Sequence, residues 1–412
     1  MKALRLARSL GWMGATLLIG LGSANMANAQ QGDKIRIGMT VSSAGSFALA
    51  SQSGVRGIDV WVDEVNSRGG IDIKGKKYKV ELIKRDDRSD KQMVPRVYES
   101  LITDDKVDLL FGPFGSTLTA AAVTVTERHN KFLGAWAAAS DSLFEQGFKY
   151  MFSPTQNPTS SQPRDSIALA AKMGYKKIAF LYSDEPFPSS LAENAKAAAE
   201  KHQMQVLMFD KYPKGQKDFS TVLQKAKAMG AEVLYPVAYE GDHMSMLKQM
   251  KQLNLNFPFT YLFYAATPQF ASLGKDVDYI FSNTNYHPAI KWKVNAGYDR
   301  DQFAKAYARL NPNATYQPDF QTALGYGAGV IVEKIISTAG STDAAELKKA
   351  AMALSGKLTV MAGQYEIDAG GKQMQMTWPV LQQQPGKGWV VVWPESIAAG
   401  KPIPVPDWQK RK

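Results

Sequence analysis

From Lys34 onward, short apolar runs alternate with stretches of helical period, and this alternation confines the chain to a small set of α/β architectures. Strands are predicted at residues 35–39, 79–83, 107–111 and 132–135, with helices between them at about 50–67, 91–104 and 118–129. In the first helix Val55, Ile58, Val62 and Val65 form one apolar stripe, and Gly69-Gly70 suit the left-handed turn that ends it. The rhythm then restarts. Strands follow at 177–181, 205–209, 232–236 and 259–263, and helices at about 188–202, 219–229 and 242–253. Two successive β-α-β runs predict two doubly wound parallel-sheet lobes. Beyond 279–283 the pattern gives helices at 299–310, 320–338 and 344–354. Antiparallel strands follow at 364–367, 374–383 and 389–393, broken by Gly370-Gly371 and Pro385-Gly386.

One junction carries chemistry. The apolar strand Leu109-Leu110-Phe111 stops at Gly112-Pro113-Phe114-Gly115, and Ser116-Thr117 open the next helix. Such a turn offers backbone N–H groups and hydroxyls at a helix N-terminus, where the dipole favours an anionic or polar ligand. In an open α/β sheet, ligands sit beyond the carboxyl ends of the strands. Ser116 also suits a purely local role as a helix cap.

The N-terminus reads as an export signal. Lys2, Arg5 and Arg8 precede an apolar run over 10–21, and Ala27-Asn28-Ala29 forms a cleavage site after Ala29. The run is roughly a dozen residues, short of the ~20 needed to span a bilayer. The mature protein is therefore expected in the periplasm. With no cysteine in the chain, disulfides, thiol nucleophiles and thiolate metal sites are excluded. The net charge of +11 is spread over scattered lysines without a basic helix, which argues against nucleic-acid binding.

The order of motifs resembles the periplasmic solute-binding proteins of ABC importers, in the leucine/isoleucine/valine-binding branch. The carriers are Ile35-Arg36-Ile37-Gly38, Glu64-Val65-Asn66-Ser67-Arg68-Gly69-Gly70-Ile71 and Asp86-Asp87-Arg88-Ser89-Asp90. Others are Phe111-Gly112-Pro113 with Ser116, Lys217-Asp218-Phe219-Ser220, and Met246-Leu247-Lys248-Gln249. The resemblance implies two lobes joined by three crossover strands, near 149–153, 279–283 and 358–362. Lobe 1 would comprise 30–150 with 284–357, lobe 2 would comprise 151–283 with 358–400, and 401–412 would be a tail. It further implies a monomer that binds a small-molecule solute without a cofactor and passes it to membrane permease subunits. The alternative is a receptor subunit presenting its ligand to a membrane signalling protein. No nucleophile–base set or cofactor motif suggests an enzyme.

The resemblance also names site residues. Ser116, with Thr117, stands where the family holds a ligand carboxylate, and Ser140 where it supplies a further hydroxyl donor. Trp136 is expected either to stack on a planar ligand or to fill the core. Phe47 is expected to wall the cleft. From the second lobe come Phe187, Tyr239, Glu240 and Tyr264, and the three aromatics among them, each at a strand end, point to a pocket. Relatives that bind α-amino acids carry a glutamate just after the strand at 259–263; here Tyr264-Ala265-Ala266-Thr267-Pro268 holds no acid, and Ala50 replaces their first-loop tyrosine. A buried ammonium needs a paired negative charge. Unless Glu240, Asp184 or Glu185 supplies it, the expected ligand is a small carboxylate, aromatic acid or amide.

The remaining candidates have plainer uses. His129, His202, His243 and His287 lack ligand spacing, so no metal is expected. Asp86–Asp90 lacks the glycine and closing glutamate of a calcium loop and reads as a turn. Gly325, Gly327 and Gly329 fall inside a helix and read as packing glycines.

Overall fold

The computed structural model describes residues 34–314, 317–376 and 378–411, so the predicted leader and its cleavage point lie outside the described residues. The first unit is built from β1 (Lys34–Val41), α1 (Ala48–Ser67), β2 (Ile71–Ile73), β3 (Lys76–Asp86), α2 (Val94–Thr103), β4 (Leu109–Phe111), α3 (Ser116–Arg128), β5 (Leu133–Gly134), α4 (Asp141–Phe144) and β6 (Met151–Phe152). Its strands form one sheet in the order β2-β3-β1-β4-β5-β6, parallel except for the β2–β3 hairpin. Ile35, Ile37 and Met39 of β1 and the whole of β4 are buried, as in a sheet covered on both faces.

The second unit repeats the plan with α5 (Arg164–Lys172), β7 (Lys177–Ser183), α6 (Pro186–Lys201), β8 (Gln205–Tyr212), α7 (Ser220–Ala228), β9 (Val233–Val237), α8 (Glu240–Gln252) and β10 (Phe259–Thr260). Its parallel sheet runs β10-β9-β7-β8. The chain then adds β11 (Phe281–Asn283), α9 (Arg300–Leu310), α10 (Phe320–Ala339), α11 (Ala344–Leu354), β12 (Leu358–Val360), β13 (Gly363–Tyr365), β14 (Val380–Gln384) and β15 (Gly388–Trp393). β11, β14 and β15 form an antiparallel sheet, which a parallel bridge from Tyr261 to Phe281 joins to the second unit.

α10 returns to the first unit and lies against α1 at unusually close range. A Cβ at Gly57 would stand 1.9 Å from the Thr322 carbonyl oxygen, and one at Gly325 would stand 2.0 Å from that of Gly54. The helical glycines of 325–329 thus serve packing, as their place in the sequence suggested. Among the described residues no helix is long and apolar enough to cross a membrane.

Two expectations change in the C-terminal part. The strand expected at 374–383 is confined to β14. Before it, the Gln373 side-chain oxygen accepts from the amides of Glu366, Met374 and Gln375, and so takes the place of a strand partner. The β12–β13 hairpin, expected with the second lobe, packs on the first: the Tyr365 hydroxyl donates to the Ala351 carbonyl of α11 at 3.0 Å. The acidic run at 86–90 is a turn. The Asp87 carboxylate accepts from the Thr40 and Ser42 hydroxyls and from the Ser89 amide, while Asp86 accepts from Ser43 and the Arg88 amide.

Candidate functional site

The glycine turn after β4 forms the first-unit wall of a cleft. Gly115 has φ 83°, a left-handed conformation that lets the chain turn sharply into α3. Ser116, next in line, is buried, and its Oγ accepts from the amides of Ala139 and Ser140, each at 3.0 Å. With its lone pairs so occupied, the hydroxyl has its proton left to give and suits an acceptor such as a carboxylate. The Thr117 Oγ1 beside it is buried and has no hydrogen-bond partner among the described residues.

Two expected first-lobe contacts move away from the cleft. Trp136 is fully buried, its indole N–H donates to the Gly112 carbonyl at 2.9 Å, and its ring occupies the space left by the missing side chain of Gly54. It is a core residue that ties down the glycine turn from behind, and the expected stacking role falls away. Ser140 precedes α4; its amide donates to Ser116 Oγ and its hydroxyl pairs with that of Ser142 at 3.1 Å, and like Ser116, Thr117 and Phe47 it is not among the residues that line the cavity.

The cavity between the units is lined by Phe114 and Gly115 of the turn, Ala137 and Ala139 after β5, Gln156 after β6, Phe320 and Gln321 of α10, and Phe187, Tyr239, Phe263 and Tyr264 of the second unit; the lobes stand so close here that its volume is only about 10 Å³. Its second-unit wall is a continuous aromatic cluster: Phe187 stands 5.8 Å from Tyr239 and 6.1 Å from Phe263, and Tyr264 stands 5.9 Å from Phe320 across the cleft. Phe47 is fully buried just before α1, outside the cavity lining, with its ring 6.0 Å from that of Phe114. The Tyr239 hydroxyl is buried without a partner among the described residues and points toward the Gly115 turn.

Glu240 lies behind this wall rather than in it. It is 3 % exposed, one carboxyl oxygen has no partner among the described residues, and burial followed by the nearby Asp319 charge pushes its pKa up to about 8. Asp319, the cap of α10, accepts from the Ser53 hydroxyl and the Thr322 amide. A larger cavity of about 220 Å³ lies near the start of α9, but it shares no lining residue with the cleft.

The family model for periplasmic binding proteins matches residues 34–388, which takes in both sheets and every residue of this cavity. The chain belongs to the periplasmic binding protein family. A curated relative of this periplasmic binding protein, Leu/Ile/Val-binding protein homolog 8 of Brucella abortus, is 27 % identical over 97 % of this chain and 99 % of its own. Among solved structures, the branched-chain amino acid transporter substrate-binding protein of Streptococcus pneumoniae in complex with isoleucine is similar, with a TM-score of 0.73 and 22 % identity; it covers 86 % of this chain and 97 % of its own. An ABC transporter solute-binding protein of R. palustris in complex with benzoate gives 0.74 and 18 % identity, covering 91 % and 98 %. These likenesses show the type I periplasmic binding fold, two α/β lobes with the cavity between them. The family consists of solute-binding proteins that work with permease subunits, not of enzymes.

Sequence reasoning did not single out Gln156, Phe263, Phe320 or Gln321. Phe263 ends an expected strand and Phe320 opens an expected helix, so each carried a positional signal. Gln156 and Gln321 carried none, because their aim depends on how the chain passes between the lobes.

Proposed function

We propose that this protein is the periplasmic solute-binding component of an ABC importer and that its ligand is a small aromatic carboxylic acid. The observation that carries the reading is the composition of the cavity: its lining holds six aromatic rings and two amides but no carboxylate. An ammonium buried there would lack a counter-charge, whereas a flat apolar ring would meet aromatic faces and edges on both sides. The acid end would face Gly115, Ser116 and Thr117, where a hydroxyl with a proton to give stands at the start of a helix. The neighbour holding benzoate supports this choice over the one holding isoleucine, since the acid expected after β10 is absent here. The leader ending at Ala29, export to the periplasm and function as a monomer belong to the same reading. Ligand would bridge both lobes and favour their closed arrangement.

Isothermal titration calorimetry of the chain from residue 30 onward tests this directly. Benzoate is expected to bind and leucine to give no heat. Tight binding of leucine or valine with no response to aromatic acids would overturn it.

A further inference from the structure

The cavity of about 220 Å³ near the start of α9 lies on a connection between the lobes. The chain leaves the second-lobe side at β11, which pairs with β14, and reaches α9, where the Tyr307 hydroxyl accepts from the Arg56 guanidinium of α1 at 3.1 Å. Residues within 285–301, with Met361 from the β12–β13 turn, supply the lining. Two polar side chains of that lining are shut away from solvent with nothing to bond. Asn285 is 2 % exposed, and both polar atoms of its amide, Oδ1 and Nδ2, have no partner among the described residues. The indole N–H of Trp292 is in the same state. A buried polar group left unpaired costs about 1–3 kcal/mol, so a site that keeps two of them calls for something that completes it.

The other polar groups of the lining are already engaged. His287 donates from Nε2 to the Trp389 carbonyl at 2.9 Å and accepts from the Ala289 amide at Nδ1 at 3.2 Å, which fixes its ring as a neutral tautomer. Asp299 caps α9 by accepting from the amides of Asp301 and Gln302, and Arg300 pairs with Asp301. Lys291 is exposed. Two basic and two acidic residues thus balance, and the cavity asks for no ion. What it leaves open is a donor and an acceptor side by side on Asn285, and a further donor on Trp292. An amide finds its full complement in another amide edge, through two parallel hydrogen bonds of about 2.9 Å. Ile290 and Met361, both buried, add apolar surface beside the indole. The volume is several times the roughly 30 Å³ of one water molecule and suits a single ring.

We infer that this cavity is a second ligand site, separate from the cleft, for a neutral planar molecule with an N–H beside a carbonyl, as in a primary carboxamide or a lactam. Asn285 pairs with that edge, and Trp292 donates to a further acceptor. The segment that carries both residues passes between the lobes, so an occupant acts on their connection rather than on the walls of the cleft. The inference stands apart from the identity of the cleft ligand. A site built around an unpaired amide discriminates against an analogue that lacks the matching N–H, because the Asn285 oxygen is then left without a donor.

Calorimetry with benzamide, a primary carboxamide, and uracil, a lactam, tests this, each against its methylated control, N,N-dimethylbenzamide or 1,3-dimethyluracil. At least one amide is expected to bind the parent with a Kd below about 1 mM, and its control at least about tenfold more weakly. Which of the two binds identifies the source of the amide edge. Asn285→Leu is expected to weaken that binding at least about tenfold. It should also melt no lower than the parent, since an apolar side chain replaces an unpaired buried amide. Trp292→Phe, which keeps a ring and removes the N–H, is expected to weaken binding about fivefold. The inference fails if neither amide binds, if the methylated control binds as well as its parent amide, or if Asn285→Leu binds as the unaltered protein does. The last result would place the amide elsewhere, and all three leave the aromatic-acid reading of the cleft intact. Should Asn285→Leu not fold, Trp292→Phe decides, and unchanged affinity there overturns the inference.

Discussion

The ring of Tyr239 stands edge-on to that of Phe47, with centroids 5.0 Å apart and planes at 72°, and this contact joins the second lobe to the first beside the cavity. Lys214 of the second lobe lies over the same Phe47 ring at 4.9 Å, so the first-lobe phenylalanine is gripped from two directions. Closure of the cleft is thus built from aromatic contact as well as from whatever the solute bridges.

Removing that contact should weaken solute binding more than it weakens folding. Tyr239→Ala is expected to lower ligand affinity at least about tenfold, through the loss of an aromatic pair and of ligand contact area. Small-angle scattering should show a wider average separation of the lobes. Unchanged affinity in calorimetry would place Tyr239 outside the binding surface.

Ser116→Ala should be costly even without solute. The substitution leaves the buried amides of Ala139 and Ser140 without their shared acceptor, which is expected to reduce stability by about 2 kcal/mol in urea denaturation. Affinity should fall as well. Lost affinity with unchanged stability would show that these amides find another partner.

Glu240 makes stability depend on pH. Its pKa rises to about 8 in the folded protein from an ordinary value of 4.5. The folded state therefore retains a proton that the unfolded chain releases. The favourable contribution is complete below pH 4.5 and is lost as pH rises through 8. Glu240→Gln keeps the shape and stays neutral. Its melting temperature is expected to match the parent near pH 5 and to exceed it by about 2–4 °C at pH 9. A constant offset between the two across this range would contradict the assignment.

Gly325→Ala should disturb the first lobe from the back. Its added methyl meets the Gly54 carbonyl oxygen at 2.0 Å, too close for either helix backbone to absorb without moving. Thermal unfolding is expected to show a loss of about 3 kcal/mol. A variant as stable as its parent would mean that the helices separate freely.

The sequence made the alternation of strands and helices readable because apolar period survives tertiary packing. The glycine turn at 112–115 was readable for a local reason: φ requirements and helix starts are written in adjacent residues. Trp136 was not. Whether its ring faced solute or core depended on the missing side chain of Gly54, on another helix far away in the chain. Phe320 was hidden differently, since an aromatic at the head of an apolar helix looks the same whether it lines a cavity or fills a core. The hairpin at 358–365 followed its contacts with α11 rather than its place after the last crossover.

The close seating of α1 on α10 has a consequence for how a solute is captured. Phe47 precedes one helix, Phe320 and Gln321 begin the other, and the two helices meet closely at Gly57 and Gly325 and are tied by the Ser53–Asp319 and Trp61–Glu333 hydrogen bonds. This helix pair fixes the first-lobe half of the cavity, so adjustment to a solute is expected of the opposing wall. Solutes of different shape should then arrive at similar rates and differ in how long they stay.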